Sequence, residues 1–418
     1  MENPPESKLS EVAIIGRKHS SGIWTKLRRI SWTVLFITGL GILLLALILV
    51  CVIFETVKLS RTSSLDGPVR HTPESRDYHL RIVNFVNSLY NATWKAKYNK
   101  FASRFADEVA NAEVTKIVEV SSDLPEEEMF GDTESHSKLL GRLDVNLPKA
   151  FDARKQWSLC WSMHQVPNQG GCGSCWALTA ASVMSDRICI ASNYTKQPQV
   201  SAQDLTSCCT GCGGCQGSYW ALAPFTHWKL QGIVSGGNYG SFEGCKPYMM
   251  PPDCGTPCSL KYYARQKTPE CIRKCQYLYD KEYMNDITKG ATAYWVYAEG
   301  GSSDTKPAVK GLIERVLPGV SPAEILKKEL YFYGPLLACF TVNEDFQHYG
   351  SGIYHTNTYN DSKELYGHCA KLLGWGEEGG VKFWTYMNTW GRDWGENGFF
   401  RVSLDEVPEE ATAAVAAI

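Results

Sequence analysis

The sequence predicts an α+β protein whose long C-terminal globular part follows a membrane-spanning helix. Of its 418 residues, 44% are apolar and 21% charged, a balance typical of folded chains long enough for two domains. Apolar residues line one face of residues 174–191, which predicts a helix. Glycine-punctuated apolar segments predict four strands, at residues 336–342, 367–373, 381–387 and 398–402.

Charge and cysteine content narrow the class of protein. The net charge of -2 is the remainder of 42 basic and 44 acidic side chains, so nothing overall attracts the chain to nucleic acid. Sixteen cysteines are present, most of them between Cys160 and Cys275. Such a density indicates an oxidising compartment.

Residues 32–54 carry no charge and meet the ~20 apolar residues that a membrane-spanning helix needs. A signal peptide is the competing interpretation, but its apolar region usually spans only ~7–15 residues, and no small-x-small cleavage site follows here. The basic residues concentrate before the span. This bias predicts a cytoplasmic tail at residues 1–31 and a type II membrane protein whose C-terminal part is lumenal or extracellular.

The region between the span and the globular part is divided by composition. Residues 55–77 are polar and predict a stalk, and residues 78–112 predict short helices. The acidic residues 121–134 predict a flexible linker open to cleavage, and the globular part begins at Leu147. Three glycosylation sequons lie on the lumenal side of the span, at Asn91, Asn193 and Asn360.

Cys175 is the candidate nucleophile. A thiol attacks as its thiolate, which a helix N-terminus and a neighbouring imidazolium favour, and Cys175 opens the predicted helix. Alternatively, Cys172 and Cys175 form a redox pair or half of a zinc site. A redox pair would need a thioredoxin-like strand before it, and zinc a matching second pair.

The segment Cys172-Gly173-Ser174-Cys175-Trp176 resembles the nucleophile motif of papain-family cysteine proteases. Farther along, Gly367-His368-Cys369-Ala370 and Asn388-Thr389-Trp390-Gly391 resemble the histidine and asparagine segments of that family. The resemblance implies a papain-like two-domain fold, with Cys175 in a helical left domain and a β-barrel-like right domain across the active-site cleft. It implies that His368 exchanges a proton with the thiol, Asn388 orients the imidazole ring and Gln169 stabilises the oxyanion, without metal or organic cofactor.

Within the family, the chain most resembles cathepsin B, through Thr93-Trp94-Lys95-Ala96 and the segment from Leu147 to Arg154. The resemblance implies a zymogen whose inhibitory propeptide and linker occupy residues 78–146, and a protease domain at 147–418 that acts on protein and peptide substrates. The endolysosomal or secretory pathway follows as its expected location, with release after processing. It also implies six disulfides: Cys160 with Cys189, Cys172 with Cys215, Cys208 with Cys271, Cys209 with Cys212, Cys245 with Cys275, and Cys254 with Cys258. Cys339 and Cys369 remain, and we hypothesise a seventh bridge between them.

Several departures from cathepsin B concern the substrate groove, which the resemblance places along Gly217, Ser218 and Trp390. Only three residues separate Cys254 from Cys258, so the loop that carries a carboxylate-binding histidine pair in cathepsin B is missing, which predicts mainly endopeptidase action. Ser218 stands where the family has a second glycine. Residues 402–411 replace the stretch with the acidic residue that favours arginine in the second subsite; its candidate substitutes are Asp405, Glu406, Glu409 and Glu410. An insertion at residues 297–323 predicts a surface loop.

A second hypothesis is a catalytically silent relative that serves as an adhesive or matrix-binding module. Silent relatives typically lack the nucleophile. Because Cys175, His368, Asn388 and Gln169 are all present, the sequence favours an active peptidase.

Overall fold

The computed structural model describes residues 37, 41–50, 73–99, 129–218, 220–252, 266–299, 305–356 and 358–418. The chain divides into two compact units, Met1–Gly67 and Pro68–Ile418. In the first unit, residues 41–50 are helical, with exposed apolar side chains. No helix within these described ranges has both the length and the apolar character to cross a bilayer. Most of the predicted span at 32–54 lies outside them, so the anchor stays a prediction.

The second unit contains helices of four to seventeen residues. The longest of them, Cys175–Ala191, is buried almost all round, because apolar residues and alanine occupy nearly every face. It packs on two strands of the sheet and on the helices that follow it. In chain order the helices are α1 (Pro73–Ser88), α2 (Thr133–Gly141), α3 (Ala153–Gln156), α4 (Cys175–Ala191), α5 (Ala202–Cys208), α6 (Ala223–Leu230), α7 (Thr305–Val316) and α8 (Pro322–Tyr333).

The strands are β1 (Trp94–Ala96), β2 (Phe151–Asp152), β3 (Tyr294–Ala298), β4 (Leu336–Asn343), β5 (Tyr349–Tyr354), β6 (Glu364–Glu378), β7 (Val381–Met387), β8 (Phe399–Ser403) and β9 (Glu410–Ala413). They form one sheet in the order β1-β5-β8-β7-β6-β4-β9-β3, with β2 beside β6. All pairs are antiparallel except β5 with β8. Within the described residues, β1 and β3 end this path and do not pair, so the sheet is open and the expected barrel does not close.

The predicted helix at 174–191 and the four predicted strands are confirmed. Four expectations about connecting segments are wrong. The end of the predicted stalk belongs to α1, and residues 94–96, expected in a helical region, form β1. The end of the predicted flexible linker is ordered, since α2 begins at Thr133. The insertion contains α7, whose apolar side packs on β3 and α2. Residues 100–112 and 121–128 lie outside the described ranges.

Six disulfides join described cysteines, five of them in the pairs that the resemblance implies. They are Cys160–Cys189, Cys172–Cys215, Cys208–Cys271, Cys209–Cys212, Cys245–Cys275 and the additional Cys339–Cys369. The additional bridge joins residues that are direct partners in the β4–β6 ladder. Cys254 and Cys258 lie outside the described ranges. The three sequon asparagines are exposed.

Candidate active site

Cys175 is the first residue of α4 and, in the part of the chain that the structure describes, the one cysteine outside a disulfide. The loop before it is held by the Cys172–Cys215 bridge and by a hydrogen bond from the Gly173 amide to the Cys215 carbonyl, at 2.9 Å. A Cβ at residue 173 would approach that carbonyl oxygen to 2.5 Å, so this close approach requires glycine. The thiol therefore lies at the positive end of a helix dipole, which favours a thiolate.

His368 lies on β6 and is 2% exposed. Its Nε2 is 2.7 Å from Oδ1 of Asn388, and the same oxygen accepts the Thr389 amide at 2.7 Å. An amide oxygen can only accept hydrogen bonds, so His368 Nε2 must donate its proton to Oδ1. In the neutral ring Nδ1 is then the basic nitrogen. The carbonyl of the next residue, Cys369, accepts a hydrogen bond at 3.1 Å from the Thr179 hydroxyl, one turn into α4. This contact joins β6 to the helix that begins with Cys175.

Gln169 is buried beside the same asparagine segment. Its side-chain Oε1 accepts a hydrogen bond from the Thr389 hydroxyl at 2.7 Å, and its Nε2 donates to the Cys172 carbonyl at 3.0 Å. Its backbone amide donates to the Thr389 carbonyl at 2.9 Å. Tyr248 donates to the Gln169 carbonyl at 2.8 Å and is 2.6 Å from the Ser174 hydroxyl. Sequence reasoning missed Thr389 and Tyr248 as positioning residues; Thr389 is adjacent to a predicted site residue, whereas no motif marks Tyr248.

Cys175 and His368 are both buried here, a condition we call the closed state, and burial favours the neutral form of each. Burial raises the pKa of Cys175 to about 11, although the backbone N–H groups of Cys369 and Trp176 oppose the shift. Burial lowers the pKa of His368 to about 4, against the opposing hydrogen bond to Asn388. A reactive thiolate and imidazolium therefore require water to enter the site.

The groove residues expected from the sequence differ in accessibility. Gly217 has φ of +103°, and a Cβ there would meet open space, so its backbone faces an unfilled region. The Ser218 hydroxyl donates to the Trp220 carbonyl at 2.9 Å, within its own loop. Trp390 is only 1% exposed, and its ring centroid lies 4.7 Å from that of His368. In this state Trp390 covers the imidazole ring.

Among the candidate acidic residues, Glu410 contacts the segment that follows Ser218. It is 8% exposed and is the ladder partner of Cys339, while its Oε2 accepts the Ala221 amide at 3.1 Å, three residues beyond Ser218. Lys306, from the insertion helix α7, places its Nζ 2.6 Å from Oε1 of Glu410. The carboxylate is thus already paired with a cation.

The other acidic candidates make different contacts. Glu409 accepts hydrogen bonds from the Thr341 amide and hydroxyl, at 2.8 and 2.6 Å. Glu406 accepts the Thr356 amide at 3.0 Å. For Asp405, the structure records only a backbone contact, 3.4 Å from its amide to the Ser403 hydroxyl.

Comparison with known proteins identifies the class. Residues 147–417 match the family model described as papain family cysteine protease, and the chain belongs to that family. It is 38% identical to cathepsin B-like cysteine proteinase 3 of Caenorhabditis elegans, over 77% of this chain and 77% of that protein. It is 39% identical to cathepsin B-like cysteine proteinase 1 of Ostertagia ostertagi, over 65% of this chain and 72% of that protein. The chain is therefore a cathepsin B-like, cysteine-type peptidase.

Solved structures of proenzymes share the fold. ProCathepsin B S9 from Trypanosoma congolense is similar with a TM-score of 0.54 and 24% identity, over 84% of this chain and all of that one. The proform of the ragweed pollen cysteine protease Amb a 11 gives a TM-score of 0.54 and 20% identity, over 84% of this chain and 89% of that one. At these identities the likeness concerns the fold alone, a papain-like α+β proenzyme.

Proposed function

We propose that the protein hydrolyses peptide bonds through Cys175, His368 and Asn388, with Gln169 assisting. The observation that carries the proposal is the 2.7 Å contact between His368 Nε2 and Asn388 Oδ1. It fixes the tautomer in which Nδ1 is free to take the proton of a thiol at the helix N-terminus.

In this mechanism, the Cys175 thiolate attacks the scissile carbonyl carbon while the imidazolium of His368 donates its proton to the leaving amine. The Cys175 amide and the Gln169 Nε2 donate to the developing oxyanion. Water, deprotonated by His368, then cleaves the thioester and restores the thiol. Because the closed state holds the thiol and the imidazole neutral, the reactive ion pair forms once the cleft is hydrated.

We further propose a membrane-tethered zymogen with mainly endopeptidase action. The charge-free residues 32–54 support the tether, and the short interval between Cys254 and Cys258 supports the loss of carboxylate recognition. The pairing of Glu410 with Lys306 supports a second subsite that does not select arginine, because the carboxylate already has its counter-ion.

The test is chemical labelling of the processed protein with an epoxide-type thiol inactivator. Mass spectrometry is expected to find the label on Cys175, and the His368→Ala variant is expected to remain unlabelled. A label on another cysteine, or equal labelling without His368, would refute the assignment. Faster cleavage of substrates with a free C-terminal carboxylate than of their amides would refute the endopeptidase preference.

A further inference from the structure

Residues 129–146, the segment directly before Leu147, pack on the protease domain at residues 147–418. They lie outside the matched family region. The Trp295 amide on β3 donates to the Thr133 hydroxyl at 2.9 Å. The Trp295 indole donates to the Met129 carbonyl at 2.9 Å, and Gly131 forms a bridge with Tyr294. Residues 129–133 thus cover part of the outer edge of the last strand in the sheet.

A second group of contacts anchors the start of α2 from the side of α6. The Asp132 carboxylate accepts the Ala293 amide at 2.9 Å and the Lys229 ammonium at 2.7 Å. The Asp132 amide in turn donates to the Ala293 carbonyl at 2.8 Å. Without this segment the backbone amides of residues 293 and 295 would lose their partners at an open sheet edge.

The middle of α2 completes a buried polar cluster. His136 is 5% exposed, its Nε2 lies 2.6 Å from Oε2 of Glu329, and its ring stacks on Tyr294 at 3.5 Å between centroids. Glu329 is 0% exposed, and its other oxygen accepts Nη2 of Arg187 at 2.8 Å. Arg187 lies on α4, the helix that begins with Cys175. The segment is therefore connected to α4 through a chain of buried polar contacts.

The end of α2 packs on the insertion. Leu140 is 2% exposed, and α2 contacts α7, which belongs to the protease domain. At Gly141 a Cβ would come within 2.9 Å of the Leu317 side chain. Contact between α2 and α7 thus buries Leu140 on one helix and Val309 and Ile313 on the other.

We propose that residues 129–146 are a permanent part of the active enzyme, held to it after maturation, and that the removable inhibitory propeptide ends before Met129. The proposal rests on the proposed zymogen and replaces the expected maturation point just before Leu147. Cleavage after residue 141 would leave α2 bound as a separate chain, because its contacts do not depend on the connection to Leu147.

The experiment compares processed enzymes rather than proenzymes. Full-length protein and its His136→Ala variant are subjected to limited proteolysis until the epoxide-reactive form accumulates, and the thermal midpoint of each processed form is measured. If the segment is retained, the variant leaves the buried Glu329 carboxylate with one hydrogen-bond partner fewer and melts ~5 °C or more below the wild type. If the segment is lost, the two processed chains are identical in sequence and must melt together, which would overturn the proposal.

Lys138→Ala, on the exposed face of α2, is the matched control and is expected to leave the midpoint unchanged. Should His136→Ala fail to fold, native mass spectrometry of the processed wild type decides: masses that include residues 129–146, covalently or as a bound peptide, support the proposal. A stable active form that begins near Leu147 and lacks this peptide overturns it. Epoxide labelling of Cys175 in the same samples reports the proposed catalytic function separately.

Discussion

The proposed catalytic centre and the proposed end of the substrate groove lie on different elements and differ in their relation to the family. At the centre, Cys175, His368 and Asn388 occupy their expected segments, and the His368–Asn388 contact is intact. At the groove end, Glu410 is paired with Lys306 from an inserted helix, and an additional disulfide joins β4 to β6. Under the proposed function, the difference means that the chemistry of the family is kept while the contacts that select substrates differ.

The largest expected effect is the loss of activity on removing the proposed nucleophile. Cys175→Ala should lower kcat/KM by ~10⁴-fold or more, because removal of the nucleophile leaves only binding and oxyanion stabilisation. The measurement is hydrolysis of a fluorogenic peptide by the processed enzyme. Lys138→Ala, prepared in the same way, is expected to retain full activity. Residual activity within tenfold of the wild type would remove Cys175 from the centre.

The second prediction concerns the closed state of the centre. With a Cys175 pKa of about 11, the thiolate fraction of the unprocessed chain is small at neutral pH. Alkylation of Cys175 by iodoacetamide should therefore accelerate ~10-fold per pH unit from neutrality up to about pH 11. The processed enzyme, with a hydrated ion pair, should react rapidly and with little pH dependence near neutrality. Fast, pH-independent labelling of the unprocessed chain would contradict the closed, neutral pair.

The third prediction tests the groove end. Lys306→Met leaves the Glu410 carboxylate without its cation, so an arginine in the second position before the cleaved bond can pair with it. The ratio of kcat/KM for arginine over leucine at that position should rise ~10-fold, a change of about 1.4 kcal/mol. Because both substrates are measured on one preparation, partial misfolding does not alter the ratio.

Two controls accompany the lysine variant. Lys310→Met, one turn along α7, should leave the ratio unchanged, and adding Glu410→Gln to Lys306→Met should abolish the gain. An unchanged ratio in an active Lys306→Met enzyme would place Glu410 away from the substrate while leaving the catalytic assignment intact.

The smallest expected effect on catalysis comes from removing the Cys339–Cys369 disulfide. Cys339 and Cys369 are 30 residues apart in sequence, and bridges closing such loops stabilise a fold by ~2–4 kcal/mol. The Cys339→Ala/Cys369→Ala variant should melt ~5–10 °C lower in calorimetry. Its kcat should change only a few-fold, since the β4–β6 ladder and the Asn388 contact hold His368 independently. A loss of kcat as large as that of Cys175→Ala would show that the bridge supports the centre itself.

Local patterns determined much of this protein from the sequence by itself. The apolar periodicity gave α4 and four strands within a few residues, and short motifs identified Cys175, His368, Asn388 and Gln169 as candidates, because each motif is read over a few neighbouring positions. The tertiary structure alone decided what depends on distant pairs. His136 and Glu329 are 193 positions apart, and Lys306 and Glu410 are 104 positions apart. No local pattern encodes which polar side chains will meet over such distances. For the same reason the sequence predicted a flexible linker up to Glu134, past the start of α2 at Thr133, and a surface loop where α7 forms. Each helix is stabilised by the surface it covers rather than by its own composition.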